Sequence, residues 1–188
     1  NLGMALLTCE TFGFEFAELV NYCDGLKPVP GRLEFVGKTK VGASIYIDFA
    51  HTPDGLQHLL QTLRALAKRH LILVFGAGGE RDKQKRKPMG EIAYQYCDLI
   101  YVTDDNPRHE NAAVIRKQII QGCPSAIEIE DRSEAITVAI NKASFDDIVI
   151  IAGKGHEKVQ VVMDDHFPFS DFEQASTAIE LMEQIAGG

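Results

Sequence analysis

What this sequence has little of narrows its function first. Basic residues are outnumbered, 19 Lys and Arg against 27 Asp and Glu in 188 residues, for a formal net charge of -8. A nucleic-acid backbone or an anionic membrane surface favours a basic face, so neither is expected as the principal partner and small ligands are. Cysteine is sparse: Cys9, Cys23, Cys97 and Cys123 are widely spaced and form no C-x-x-C pair. They read as reduced thiols of a cytoplasmic protein. No apolar run approaches the length of a membrane span, and no basic-then-apolar leader opens the chain. There is no H-E-x-x-H, no other His/Cys/Asp/Glu grouping at metal-ligand spacing, and no G-x-S-x-G elbow to mark a covalent nucleophile. No internal repeat or low-complexity tract is visible.

What remains is a chain that is 45% hydrophobic, enough for one good core and a small appendage. Leu2 to Leu26 reads as two short helices broken at Gly13, too little to fold alone. Beginning at Asn1 and passing at once into a helical pattern, it suggests a piece of something longer. After the turn-rich Lys27-Pro28-Val29-Pro30-Gly31, Leu33 to Val36 and Ala43 to Ile47 flank a turn and predict a hairpin. Gly37-Lys38-Thr39 in that turn looks like the end of a phosphate-binding loop, but Gly31 is one residue too far upstream and no long helix follows. Strands and helices then alternate. Helices are expected over 53–68, 88–97, 112–120 and 133–143, and strands over 71–75, 99–103, 126–129 and 148–152. Thr52-Pro53 reads as a cap with proline at the first helical position; Asp131-x-x-Glu134 and Ser170-x-x-Glu173 read as capping boxes. The fold class expected is α/β: a Rossmann-like, doubly wound, mostly parallel sheet with an N-terminal β-hairpin and an antiparallel edge, the latter from a hairpin over 159–163 and 166–169.

In such a sheet ligands bind beyond the carboxyl ends of the strands. Each apolar strand here runs into a polar cluster: Asp48 to His51, Gly76 to Lys83, Asp104 to Arg108, Glu130 to Arg132, and Gly153 to Glu157. Strand-end loops are commonly polar, but five clusters carrying both charges and glycines are expected to converge on one rim. Asp48 suits a ribose diol, or else caps the helix beginning after Thr52; both readings stay open. His51 suits a phosphate or a base, with a structural histidine as the alternative. Gly76-Ala77-Gly78-Gly79 lets a backbone approach a ligand, and Arg81 after it suits a carboxylate, whereas Lys85, Arg86 and Lys87 read as a solvated basic run. Asp105-Asn106-Pro107-Arg108 offers an acid and an amide to an ammonium and a guanidinium to a carboxylate; a proline-stabilised helix start is the alternative. Glu157 suits a second ammonium.

Together Val29-Pro30-Gly31-Arg32, Asp48-Phe49-Ala50-His51-Thr52-Pro53-Asp54, Phe75 to Lys83, Asp105 to Arg108, and Ala152-Gly153-Lys154-Gly155-His156-Glu157 closely resemble the Mur ligases, most specifically the diaminopimelate-adding MurE type. The resemblance implies that 1–30 ends a central ATPase domain and that 31–188 is the carboxy-terminal domain. It implies ATP-dependent amide formation in peptidoglycan synthesis, in which meso-diaminopimelate attacks an acyl phosphate of UDP-MurNAc-L-Ala-D-Glu, with Mg2+ held by the absent central domain. By the same likeness Asn1, Arg32, Asp48, His51 and Lys83 serve ATP, and Arg81, Asp105, Asn106, Pro107, Arg108, Gly153 and Glu157 serve meso-diaminopimelate. No catalytic residue is assigned to this stretch, which alone is expected to be inactive. Phe49 and Phe172 depart from the tyrosine and arginine that the resemblance leads one to expect. Two other functions fit parts of the pattern: a folylpolyglutamate synthase-like ligase, and a non-catalytic amino-acid or nucleotide-binding module.

Overall fold

Leu71–Phe75 and Ile148–Ala152 are apolar at every position and buried at every position, as strands must be when helices cover both faces. They occupy the centre of the sheet in the structure, a computed structural model that describes residues 2–26 and 29–185. The elements run α1 (Leu2–Thr11), α2 (Phe16–Cys23), β1 (Glu34–Lys38), β2 (Ser44–Asp48), α3 (Pro53–Leu66), β3 (Leu71–Phe75) and α4 (Arg86–Tyr96). After them come β4 (Leu99–Val102), α5 (Ala112–Ile120), β5 (Ile127–Glu128), α6 (Arg132–Lys142), β6 (Ile148–Ala152), β7 (Val159–Val162), β8 (Asp165–Pro168) and α7 (Asp171–Ile185).

The main sheet has the order β1-β2-β6-β3-β4-β5, with only β1 antiparallel to its neighbour. Residues alternate between two cores along each strand. Leu71, Leu73, Phe75 and Ile150 face the layer that contains α3, α4 and α5, while Ile72, Val74, Val149 and Ile151 face α6 and α7. Helix α3 shows why the pattern folds this way. Leu56, Leu59, Leu60 and Leu63 form one stripe, all buried, and each is worth roughly 1.5–3 kcal/mol of transfer free energy. The Thr52 hydroxyl accepts from Gly55 N at 3.2 Å, and Pro53 occupies the first helical position. The caps expected at Asp131 and Ser170 form as well, accepting from Glu134 N at 2.8 Å and Glu173 N at 3.4 Å. Among the described residues the four cysteines are unpaired, and burial pushes the Cys123 thiol up to about 11. No described helix is long and apolar enough to cross a membrane.

Two expectations change. Helix α4 begins at Arg86, two residues before Pro88, because proline is tolerated within a first turn whose N–H groups have no helical partner. The 159–168 hairpin forms, but as a separate two-stranded ribbon rather than an edge of the main sheet. It meets the rest through a bridge from Val162 to Arg108. Helices α1 and α2 bury no residue, leaving Leu2, Met4, Leu7, Phe16, Val20 and Tyr22 exposed.

Arg132, expected on the ligand rim, is instead fully buried. Its Nε and Nη2 donate to Asp171 Oδ1 and Oδ2 at 2.7 and 2.8 Å, and both partners have no exposed side-chain surface. Nη2 also donates to Ala152 O at 3.1 Å and Nη1 to Asp104 O at 3.5 Å. Burial works against the guanidinium's charge, but Asp171, with Asp105 and Glu157 behind it, outweighs burial and holds Arg132 protonated. One side chain thereby joins the starts of α6 and α7 to the ends of β6 and β4. Asp171→Ala should cost about 3–5 kcal/mol in urea unfolding, because it strands a buried charge, whereas joint replacement by Met at 132 and Leu at 171 should cost far less. Equal losses from the single and joint replacements would refute that account.

Candidate functional site

Four of the five strand-end loops meet around one cavity of about 190 Å³. The loop after β2 contributes Phe49 and His51, and that after β3 contributes Gly76, Ala77, Gly78, Arg81 and Lys85. Asp105, Asn106 and Arg108 come from the loop after β4, and Gly153 and Glu157 from the loop after β6. The cavity lies beyond the carboxyl ends of the parallel strands β2, β6, β3 and β4. The Glu130–Arg132 loop is missing from it: Arg132 turns inward, and Glu130 turns to Arg116 at 3.2 Å.

Glycine makes the approach of these loops possible at two places. A Cβ on Gly79 would lie 1.9 Å from Pro107 O, and one on Gly153, whose φ is +117°, would lie 2.8 Å from Asp105 Oδ2. Pro107 therefore supports the cavity from behind through its carbonyl and does not line it. Asp105 to Arg108 is not a helix start either; α5 is capped by Asn111, four residues beyond Pro107. Instead β7 clasps the segment. Arg108 N donates to Val161 O at 3.1 Å, Met163 N to Arg108 O at 2.9 Å, Val161 N to Asn106 Oδ1 at 2.9 Å, and Gln160 Nε2 to Asp105 O at 2.8 Å.

The charged groups are held at defined points. Arg108 Nη1 donates to Gly79 O at 2.9 Å and to Asn106 O at 3.3 Å; among the described residues its Nε and Nη2 have no partner. Asn106 Nδ2 donates to Glu157 Oε2 at 2.9 Å. Arg81 is exposed at the mouth. Lys85 and Arg86, expected as solvated, are not. Lys85 lines the cavity and donates to His51 O at 2.7 Å; burial lowers its pKa while Asp105 and Asp82 pull the other way. Arg86 has no exposed side-chain surface and makes a two-pronged pair with Glu110 at 3.1 Å, together with bonds to Gln118 and Gly78 O. Its helical position beneath the glycine loop gives it that burial. Glu110 also accepts from Glu80 N and lies 3.3 Å from Lys83, so Arg86 and Glu110 tie the loop to its underlying helix.

A second recess, about 290 Å³, opens beside the first and is lined by Arg32, Asp48, Ala50 and His58 among others. Asp48 does not cap α3, which Thr52 does. Its Oδ2 accepts from Leu33 N at 2.7 Å and its Oδ1 from Ala50 N at 2.8 Å, leaving one lone-pair direction on each oxygen. Phe49 stands between the two recesses, with the Arg32 guanidinium 4.9 Å from its ring centre and the His51 and His156 rings at 4.5 and 5.4 Å. Thus Arg32 and Asp48 are together, His51 faces the other cavity, and Lys83 lies apart from both, paired with Glu110. Asn1 lies outside the described residues. Sequence reasoning passed over Lys154, buried behind the wall and bonded to Asn106; its position between two glycines, three residues before Glu157, was the available signal.

The sequence model of the family described as Mur ligase, glutamate ligase domain, matches residues 31–155. A UDP-N-acetylmuramoyl-L-alanyl-D-glutamate--2,6-diaminopimelate ligase of Agrobacterium fabrum is 45% identical over 181 residues, 96% of this chain and 36% of that protein. The enzyme of the same name from Zymomonas mobilis is 50% identical over 158 residues, 82% of this chain and 32% of that protein. A solved structure of such a ligase superposes with a TM-score of 0.77 at 36% identity, covering 95% of this chain and 37% of that one. Escherichia coli FolC with ADP superposes with a TM-score of 0.62 at 18% identity over 100% of this chain and 40% of that one, a likeness of fold alone. This chain therefore spans about 36% of the length of the Agrobacterium relative.

The loop anchor has a pH signature. Hydrogen bonds from Arg86, reinforced by Glu80 N and Lys83, hold the Glu110 carboxyl at about 2, below its usual 4.5, although burial opposes them. A depressed carboxyl stabilises the fold fully above its unfolded value and loses that contribution as pH falls toward its folded one. The stability gap between the wild type and Glu110→Gln should therefore narrow between about pH 5 and about pH 3 in denaturant titrations. A gap that stays constant over that window would rule out Glu110 as the anchor.

Proposed function

We infer that this chain, which belongs to the Mur ligase family and carries its glutamate ligase domain, seats the incoming amino acid and one side of the nucleotide in a cytoplasmic ATP-dependent ligase. The observation that carries this reading is the gathering of Arg81, Asp105, Arg108 and Glu157 around a single cavity. Two guanidiniums and two carboxylates there match a guest with two carboxylates and two ammonium groups. The amino acid is meso-diaminopimelate, and the acceptor is UDP-MurNAc-L-Ala-D-Glu, held chiefly by parts of the parent protein outside this chain. The names of the relatives, 45% and 50% identical to this chain, support that choice. Lysine lacks the far carboxylate and would leave one guanidinium without a partner; a glutamate-adding ligase would leave Asp105 or Glu157 without an ammonium.

In the reaction ATP supplies a phosphoryl group that activates the acceptor's carboxylate, and an amine of the incoming amino acid displaces it. This chain's residues bind and orient. Arg108, fixed through Nη1 on Gly79 O, presents its other nitrogens to a carboxylate. Glu157 and Asp105 hold ammonium groups, with Arg81 closing the mouth. On the nucleotide side, the two unused lone pairs of Asp48 suit adjacent ribose hydroxyls, and Arg32 lines the same recess. Lys83 would have to exchange Glu110 for a phosphate, and His51 serves from the neighbouring cavity. Ligands for Mg2+ are assigned to other parts of the parent protein. Residues 1–30 are read as the end of a preceding ATPase domain. Two observations support that boundary: α1 and α2 bury nothing, and the family match begins at residue 31.

Calorimetry on the full-length parent protein divides the two recesses. Arg108→Ala should weaken meso-diaminopimelate by about 2 kcal/mol, roughly thirtyfold, and leave ATP unchanged. Asp48→Ala should do the reverse. Equal affinity of the wild type for lysine and meso-diaminopimelate, or a common ligand damaged equally by both substitutions, would count decisively against this assignment.

A further inference from the structure

Lys154 belongs to a loop that builds the cavity, yet its side chain does not line it. It sits between Gly153 and Gly155 with no exposed surface. Its Nζ donates to Asn106 Oδ1 at 2.7 Å and to Val159 O at 2.8 Å, and lies 3.6 Å from Glu157 Oε2. Burial lowers its pKa, and Asp105 opposes that shift. Removing an ammonium from water costs several kcal/mol, and a methionine would fill much the same volume without that cost. The charge therefore needs a reason beyond packing.

The Asn106 amide supplies it. A side-chain amide can turn over, exchanging its oxygen and nitrogen, unless its neighbours distinguish the two ends. Here Oδ1 faces Lys154 Nζ and Val161 N, groups that can only donate, while Nδ2 faces the carboxylate of Glu157. Turning the amide over would set donor against donor on one side and oxygen against carboxylate on the other. Lys154 is the charged member of that lock, and it alone of the two donors also lies near Glu157.

We propose that Lys154 is a positioning residue for the amino-acid site: it fixes the Asn106 amide so that Nδ2 holds Glu157 Oε2, which leaves Oε1 for an ammonium of the incoming amino acid. This deepens the function inferred from the cavity and rests on it. Lys154 touches no substrate; it acts through Asn106 and Glu157, whose separations in sequence from it are 48 and three residues.

The test uses steady-state kinetics of the full-length parent protein with meso-diaminopimelate and ATP varied separately. Lys154→Met should raise KM for meso-diaminopimelate about tenfold or more, as loss of a charge-assisted bond implies, and leave KM for ATP within about twofold. In a Glu157→Gln background the same substitution should add less than about twofold, because the group it positions is already disabled. Asn106→Asp keeps the acceptor for Lys154 and Val161 but sets an anion against Glu157, so it should raise the same KM while the melting temperature holds. Parallel rises in both KM values, or effects of Lys154→Met and Glu157→Gln that multiply independently, would reduce Lys154 to a packing residue. Should the methionine variant not fold, Asn106→Asp decides by itself. An unchanged KM there, alongside a loss in Arg108→Ala, rejects the role of Lys154 and spares the site; no loss in either rejects the site as well.

Discussion

The rim of the cavity depends on a cation that never reaches it. Arg132 lies fully inside the protein, clamped to Asp171 and reaching the carbonyls of Ala152 and Asp104. Those carbonyls belong to the last residue of β6 and to the second residue beyond β4, where the chain leaves the sheet to build the cavity. A parallel sheet fixes strands in register but says little about the loops beyond them, which must take their direction from something else. Here one guanidinium, with donors arranged as a planar fork, sets two of those departures at once and pins them to the starts of α6 and α7.

The same device recurs at the other loops. Arg86 and Glu110 hold the glycine segment after β3 to the helix beneath it, and Lys154 holds Asn106 and the segment after β4. Each is a buried charge meeting an oppositely charged or strongly polar partner far along the chain, and each lies just behind a residue that faces the cavity. The charges that line the cavity are thus backed by a layer of hidden ones. That layering accounts for how short loops keep Arg81, Asp105, Arg108 and Glu157 around one space.

This also explains which parts could be read from the sequence. Helices, strands, caps and the antiparallel start are local: Leu56, Leu59, Leu60 and Leu63 declare their face by spacing, and Thr52-Pro53 declares its cap. The apolar strands ending in polar loops were enough to collect most of the candidate residues around one cavity. Burial of charge was not legible, because it depends on partners that no periodicity announces. Arg86 reads as one of three cations in a surface run until Glu110, 24 residues on, is brought beneath it. Arg132 reads as a rim residue until Asp171, 39 residues on, closes over it. Nor does the alternation of the 159–168 hairpin say which edges its strands will find, which is why it was expected on the main sheet.

That hairpin gives the two sides of the cavity different origins. The glycine segment after β3 grows directly out of a strand buried at every position and is tied to the helix beneath it by Arg86 and Glu110. The Asp105–Arg108 segment also leaves a largely buried strand, β4, but it is closed over by a ribbon whose two strands pair only with each other in the described sheets, through hydrogen bonds to β7. One wall of the cavity is thus completed by residues 55 places farther along the chain, in a ribbon that stands outside the main sheet.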